Sequence, residues 1–337
     1  MLALAAARLG FDVAILEPEA DCPAGRVAAR VIMGAYNDPE ALAELARCAS
    51  VVTYEFENVP AAAILTLQRL GVEVAPGPEA LAVAQDRVVE KAFLNASGAA
   101  TVSFSQADTA ADAITAASAM GAPLLMKTRR EGYDGKGQLW VENAAEAGRA
   151  FEALGGVPVI LEAPADFVRE LSIIAARGRD GATAIYPLAE NHHDGGILRR
   201  SLAPAQVTPA LAEQAERIAA RVLAGLDYVG VIGIELFQLG DGRLLVNEIA
   251  PRVHNTGHWT QDGCQVDQFE QHIRAVAGWP LGPTAPRARV EMLNLLGDEA
   301  EAWEKLAHEP DTRLHLYGKR AAKPGRKMGH VNKVRPL

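Results

Sequence analysis

Basic residues are in deficit in this sequence. Lysine and arginine number 33 against 42 aspartates and glutamates, a net charge of −9. A protein whose main partner is a polyanion usually shows the opposite balance. Aromatic residues, at 5%, leave few rings for base stacking. Nucleic acid is therefore excluded as the expected partner. An anionic small molecule is not, because a few cations can focus a cleft against the global charge. Cysteine is also scarce: Cys22, Cys48 and Cys264 are widely spaced, odd in number and form no CxxC. This excludes a disulfide framework or a cysteine zinc site and fits a reducing compartment. Long apolar runs are missing too. The opening MLALAAARLGFDVAIL is broken by Arg8 and falls short of the roughly 20 residues of a membrane span. It has neither a basic leader nor a clear cleavage site, so it is not read as a signal peptide. The expectation is a cytoplasmic protein that does not engage a membrane.

What is present is ordinary for a globular chain: 337 residues, 49% hydrophobic and 22% charged. At roughly 100–200 residues per domain, two or three domains are expected. The first 76 residues alternate helix and strand: a helix over 2–9, strands at 11–16, 31–33, 50–53 and 72–74, a helix from the cap Asp38 to Cys48, and a helix opened by Pro60. That alternation predicts a parallel sheet covered by helices. Such a unit normally starts with a strand and a glycine turn, whereas this sequence starts inside the first helix. A preceding stretch of about 15–25 residues supplying that strand is expected. After the turn-rich Ala75-Pro76-Gly77-Pro78 come helices at 79–85 and 87–97, a strand at 101–105, a helix at 109–120, strands at 124–127 and 138–141, and a helix at 143–154. From 159 to 248 the pattern is β-hairpins with one inserted helix at 208–226, whose Leu211, Ala215, Ile218, Ala219, Val222 and Leu226 share a face. The last fifty residues alternate strand and helix.

Four constellations can carry chemistry. Gly132, Gly135 and Gly137 lie in a loop between two strands. Glycine lets a backbone close on an anion, but no GK[ST] follows and no helix opens here, so the choice is between a flap over phosphates and a plain hairpin turn. Lys127 precedes the loop at a strand end, where a lysine is usually just solvated. Glu235 and Glu248 interrupt two apolar strands joined by Gly240–Arg243. A buried carboxylate needs a partner or a cation. With Asn247 they suit Mg²⁺, a hard cation that shares its ligands with phosphates; the bland alternative is two half-exposed strand residues. His254 and His258, four apart in Arg252–Thr260, could bind zinc from a helix, yet no HExxH is present. Arg, Asn, Thr and backbone N–H groups in one turn fit a small oxyanion better, and a capped loop before a helix at 266–277 is the plain alternative. Finally, Lys319, Arg320, Lys323, Arg326 and Lys327 put five basic residues in nine positions of an acidic protein, punctuated by Pro324 and Gly325. A structured phosphate site is preferred over a solvated arm.

In this order, these residues resemble the ATP-grasp ligases. More narrowly, YEFENVP, GYDGKGQ, NEIAPRVHNTGHWTQ and YGK…PGRKMGH resemble the N5-carboxyaminoimidazole ribonucleotide synthase family, and the resemblance spans the whole chain. It implies an α/β fold (α+β in the ATP lobes): an N-terminal half-Rossmann-like domain at 1–76, a first ATP-grasp lobe at 77–158, a second at 159–284 and a C-terminal subdomain at 285–337. It implies carboxylation of 5-aminoimidazole ribonucleotide by bicarbonate and ATP through carboxyphosphate. By resemblance, Arg87, Lys127, Gly132, Tyr133, Asp134, Gly135, Lys136, Gly137, Gln138, Glu162, Ala163, Pro164, Ala165, Glu170, His193, Asn247 and Glu248 contact ATP. Glu162 to Ala165 form the strand that links the lobes and pairs with adenine. Glu235 and Glu248 hold Mg²⁺, with Mn²⁺ as a substitute. Tyr133, Asp134, Lys136, Lys319 and Arg326 meet the ribonucleotide, the last two at its 5′-phosphate. Arg252, His254, Asn255 and His258 hold bicarbonate or carboxyphosphate, and together with Asp134 and Lys136 they form the expected catalytic set. The family also implies a homodimer. A sibling ATP-grasp ligase, such as a formate-dependent glycinamide ribonucleotide formyltransferase, and a non-catalytic nucleotide-binding protein are the competing readings.

Overall fold

The computed structural model describes residues 1–132 and 136–337. Tyr133, Asp134 and Gly135, all expected in the site, lie outside the described residues.

The N-terminal part runs α1 (Leu2–Arg8), β1 (Ala14–Glu17), β2 (Arg30–Met33), α2 (Pro39–Cys48), β3 (Val51–Val52), α3 (Ala61–Arg69) and β4 (Glu73–Val74). The Asp38 carboxylate caps α2 by accepting from the N–H groups of Glu40 and Ala41. β1 pairs parallel with β2, and β3 parallel with β4; among the described residues the two pairs share no ladder. The expected strand at 11–16 begins only at Ala14. Phe11 N–H donates back to the Ala6 carbonyl across Gly10, whose φ of +82° requires glycine, so the residues before Ala14 serve to close α1. Helix α1 packs away from its sequence neighbours. Leu2, Ala5 and Ala6 join the core with Phe269 and Ile273, and Arg8 reaches Glu270 at 2.5 Å.

The first lobe contains α4 (Pro78–Ala84), α5 (Arg87–Ala96), β5 (Phe104–Ala107), α6 (Ala110–Met120), β6 (Leu124–Thr128), β7 (Gln138–Val141), α7 (Ala147–Ala153) and β8 (Val159–Glu162), with an antiparallel sheet ordered β5-β8-β6-β7. The strand expected at 101–105 is displaced to 104–107, because the Asn95 side chain captures the Thr101 N–H and holds that stretch against α5. The helix expected at 143–154 is a 3₁₀ turn (Ala144–Glu146) followed by α7.

The rest of the chain builds one large antiparallel sheet. Its strands are β9 (Phe167–Arg177), β10 (Thr183–Ile185), β11 (Ala189–Asp194), β12 (Ile197–Ala203), β13 (Gly230–Leu239), β14 (Leu244–Ala250), β15 (Arg289–Leu296), β16 (Thr312–Leu316) and β17 (Lys327–Arg335). The helices are α8 (Pro209–Gly225), α9 (Thr260–Gly263), α10 (Gln268–Val276) and α11 (Trp303–Ala307). The order is β14-β13-β9-β11-β12-β15-β17-β16, with β10 on β9. The boundary expected at 284/285 therefore falls inside a continuous sheet. On β9, Ile173 and Ala175 face the core under α8, whereas Ile174 and Ala176 face Trp259, Phe269 and α1. Burial on both faces is why these strands read as nearly unbroken apolar runs. Among the described residues, no helix is long and apolar enough to cross a membrane.

Candidate active site

Alternation along a strand should send Asn247 and Glu248 to opposite faces. A bulge prevents this. The β13–β14 register shifts between Ile234 and Leu236, so Glu235 lies opposite both Asn247 and Glu248, while Val246 and Ile249 fill the core. Asn247 Nδ2 donates to Glu235 Oε2 at 3.3 Å, and Arg87 Nη1, at the start of α5, donates to Glu248 Oε2 at 2.9 Å. Burial opposes ionisation of Glu248, but Arg87 overrides it and holds the carboxyl below its ordinary range. Burial, and then the negative Glu248, push Glu235 up. A carboxyl pushed up beside one held down is the electrostatic situation a divalent cation relieves, and both side chains keep accessible surface. The donor set therefore fits Mg²⁺. Among the described residues no three His, Cys, Asp or Glu side chains converge as a metal cluster. Any cation here would take its remaining ligands from water and substrate, the usual arrangement for Mg²⁺.

Lys127, near the end of β6, is far from free. Its Nζ lies 2.7 Å from Glu162, which also meets Lys91 Nζ at 3.2 Å. Glu162 is 4% exposed, and its carboxylate is turned inward between the two lysines, where it anchors Lys127. Ala163, Pro164 and Ala165 do line open space. With Thr101–Ser103, Leu239–Asp241 and Arg243 they border a cavity of about 540 Å³. Glu170 on β9 meets His193 Nδ1 on β11 at 2.5 Å. Burial disfavours the imidazolium, yet Glu170 outweighs burial and raises its pKa. In the glycine loop, Arg87 Nη2 donates to the Gly132 carbonyl at 3.2 Å, and Thr128 N–H to Gly137 at 2.9 Å. Gly137 has φ +70°, and a Cβ there would lie 2.8 Å from Thr128 Oγ1, so only glycine fits. Gln138 opens β7, and Lys136 is exposed.

After β14 the chain turns through Arg252 to His258. Arg252 clamps Glu57, with Nη2 to Oε1 at 2.9 Å and a second, shorter contact through Nε. His254 lies flat on β13: a Cβ on Gly233 would come within 2.5 Å of it. Its Nδ1 bonds Thr256 Oγ1 at 2.8 Å, and burial, then Arg252, push its pKa down to about 3. It is a neutral imidazole. His254 and His258 flank the 3₁₀ turn Asn255–Gly257 and do not share an α-helix, so the helical zinc reading fails. Asn255 bonds Asn294 and His258.

The basic loop is structured between β16 and β17. Lys319 Nζ donates to the Lys327 carbonyl at 2.9 Å and sits 5.4 Å over the Tyr317 ring. Arg326 Nη1 donates to the Ala321 carbonyl at 3.2 Å. Burial, then the positive Arg326 and Lys327, lower the Lys319 pKa, which is how cations gathered for an anion behave. The charge of Lys327 also reaches His193, His254 and His258, which ties this loop to the carboxylate end of the cleft.

Three family models match the chain: the ribonucleotide synthetase preATP-grasp domain over residues 1–85, the ATP-grasp domain over 92–269, and the phosphoribosylaminoimidazole carboxylase C-terminal domain over 291–336. The N5-carboxyaminoimidazole ribonucleotide synthase of Brucella melitensis is 51% identical, covering 100% of this chain and 93% of that protein. The chain belongs to the N5-carboxyaminoimidazole ribonucleotide synthases. It is an ATP-dependent ligase of purine biosynthesis that carboxylates 5-aminoimidazole ribonucleotide. The crystal structure of the synthetase from Thermus thermophilus is 45% identical, with a TM-score of 0.91 over 99% of this chain and 90% of that one. The synthase of Aspergillus clavatus, solved with ADP and 5-aminoimidazole ribonucleotide, is 32% identical, with a TM-score of 0.93 over 100% and 91%.

Sequence reasoning missed four residues that the structure places against these groups. Glu57 stands within the quoted YEFENVP, but only the fold brings it to Arg252. Lys91 looks like a solvated helix residue. Lys327 was counted in the basic stretch without a role. Asn294, in an apolar strand, carried a usable signal: a lone amide where alternation predicts core.

Proposed function

We propose that the cleft between the two lobes performs this carboxylation with the residues gathered there. The observation that carries the reading is the β13–β14 bulge, which turns Glu235 and Glu248 to one side within reach of Arg87 and the field of Lys127 and His254. Glu235 and Glu248 hold Mg²⁺, replaceable by Mn²⁺, which when bound neutralises charge on the ATP phosphates. Arg87, Lys127, Asn247 and the flap from Gly132 to Gln138 position those phosphates. The cavity beside Ala163–Ala165 is of a size to take the base, and Glu170 and His193 complete the nucleotide site. Arg252, His254, Asn255 and His258 hold bicarbonate as it attacks the γ-phosphate. ADP leaves, and carboxyphosphate is sheltered from water by the flap. Tyr133, Asp134, Lys136, Lys319 and Arg326 meet the ribonucleotide, the last two at its 5′-phosphate. The 5-amino group takes the carboxyl, directly or as released CO₂, losing a proton as phosphate departs. The reading includes a cytoplasmic homodimer and four parts at 1–76, 77–158, 159–284 and 285–337.

Replacing Glu248 by Gln tests it. Circular dichroism should report an intact fold, while ADP release with bicarbonate and the ribonucleotide should fall to background. Turnover near the parent level would remove the carboxylate pair from the mechanism.

A further inference from the structure

Behind His258 lies a buried set of polar groups that the mechanism above does not use. Asn294 on β15 is 2% exposed. Its Nδ2 donates to the Leu198 carbonyl at 2.8 Å. A backbone carbonyl can only accept, so this contact fixes which end of the amide carries the hydrogens. The same nitrogen donates to Asn255 Oδ1 at 2.7 Å, and Asn255 Nδ2 donates back to Asn294 Oδ1 at 2.9 Å. The orientation of Asn255 is thereby fixed as well. Its Nδ2 then faces His258 Nδ1 at 3.1 Å. A ring nitrogen opposite an N–H donor must be the bare one. Burial, and then the neighbouring histidines and Lys327, keep the His258 pKa well below its ordinary value, so the ring is neutral and its single proton sits on Nε2.

We infer that Asn294 is a positioning residue that, through Asn255, locks His258 in its Nε2–H tautomer and makes it a fixed hydrogen-bond donor to bicarbonate or carboxyphosphate. The inference builds on the reading of Arg252–His258 as the bicarbonate subsite. Two further contacts are compatible with this tautomer. Tyr317 Oη lies 3.1 Å from His258 Nδ1 and 2.9 Å from His330 Nδ1. With His258 Nδ1 bare, the hydroxyl shares that lone pair with Asn255 Nδ2, and its oxygen also meets His330 Nδ1. Asn332 Nδ2 holds the His258 carbonyl at 3.2 Å, which keeps the ring in place. Among the described residues, the hydrogen bonds of the ring all fall on Nδ1, which leaves Nε2–H for a substrate oxygen. The opposite tautomer would aim a lone pair at an oxyanion. A donor set before the reaction stabilises developing negative charge without reorganising.

The test is nitrogen NMR of the full chain labelled with ¹⁵N-histidine, the His258 signals being identified by their loss in His258→Gln. We expect a protonated Nε2 and a bare Nδ1, with the Nε2 signal moving on addition of bicarbonate and ADP. Asn294→Leu should give mixed tautomers and raise the bicarbonate KM about tenfold or more, with the ATP KM unchanged. Tyr317→Phe, which removes only the hydroxyl, should shift the same signals in the same direction. A Nδ1–H tautomer in the parent enzyme overturns the inference whether or not any variant folds. So does an unchanged bicarbonate KM in an Asn294→Leu protein with altered tautomers. A correct tautomer whose Nε2 ignores bicarbonate overturns instead the reading of this segment as the bicarbonate subsite.

Discussion

Helix α5 carries the consecutive residues Arg87-Val88-Val89-Glu90-Lys91, and hydropathy would send its charges to solvent. Glu90 and Lys91 are instead 2% and 1% exposed. Glu90 accepts the Ile249 N–H at 2.7 Å, and burial, then the charge of Glu248, raise its pKa to about 8. Lys91 bridges Glu162 of one lobe and the Asn247 carbonyl of the other, at 3.2 and 3.1 Å. A reading of residue types singled out Glu235, Glu248 and Arg252. It did not find those that brace them, because a buried lysine and an exposed one are spelled alike. Removing one member of a buried ion pair costs about 3–5 kcal/mol. Glu162 would still have Lys127, so Lys91→Met should destabilise at the lower end of that range, about 3 kcal/mol in urea unfolding. Combining it with Glu162→Gln should cost less than the sum of the two single changes. Strict additivity would mean that the two side chains do not interact.

Elements were more legible than their joints. The apolar stripe predicted a helix at 208–226, and Pro209–Gly225 is helical; the glycine loop was bracketed between strands that form as β6 and β7. What pattern could not show is a side chain diverted to hold two elements together, as Asn95 does at Thr101. His272 of α10 is another such joint. Its Nδ1 accepts the Val231 N–H of β13 at 3.1 Å, so Nε2–H donates to Thr53, just past β3, at 2.7 Å. Burial lowers its pKa from 6.5 to about 4. A histidine depressed in the folded state leaves stability intact above the unfolded pKa. As pH falls from about 6.5 toward 4, the unfolded chain gains a proton that the folded one does not. His272 should therefore cost about 3 kcal/mol across that window, with His254 and His330 adding to the loss. Urea titrations at a series of pH values should show a falling midpoint, and His272→Gln should flatten the slope. An equal slope in that variant would remove His272 from the acid response.

At the scale of the whole molecule, composition and motif order were enough to reach the superfamily, but the continuity of the large sheet was invisible. Local periodicity carries no information about which distant strands meet. Strand β12 (Ile197–Ala203) pairs with β15 (Arg289–Leu296), nearly a hundred residues later. The basic loop that follows β16 is thus rigidly joined to the carboxylates on β13 and β14. Chain shortened to end at residue 284 would lose Val290, Met292 and Val331 from the core and leave β12 as a bare edge. It should fail to give a soluble protein with a cooperative melt. A soluble fragment that melts cooperatively would show that residues 285–337 fold apart from the lobe they adjoin.

The position of β17 bears on how the enzyme is made. It lies between β15 and β16, yet follows both in the chain. A ribosome delivers β15 and β16 first, and each must wait with an unsatisfied backbone edge until the strand that joins them emerges. Until then Tyr317 has no His330, Asn332 cannot hold His258, and Lys319 lacks the Lys327 carbonyl. The nascent protein can complete its first lobe while the strands that flank the basic loop are still unpaired. Synthesis therefore sets an order in which the first lobe matures before the sheet edge that carries the basic loop, and the interval between them is when the chain is most open to pairing with a neighbour.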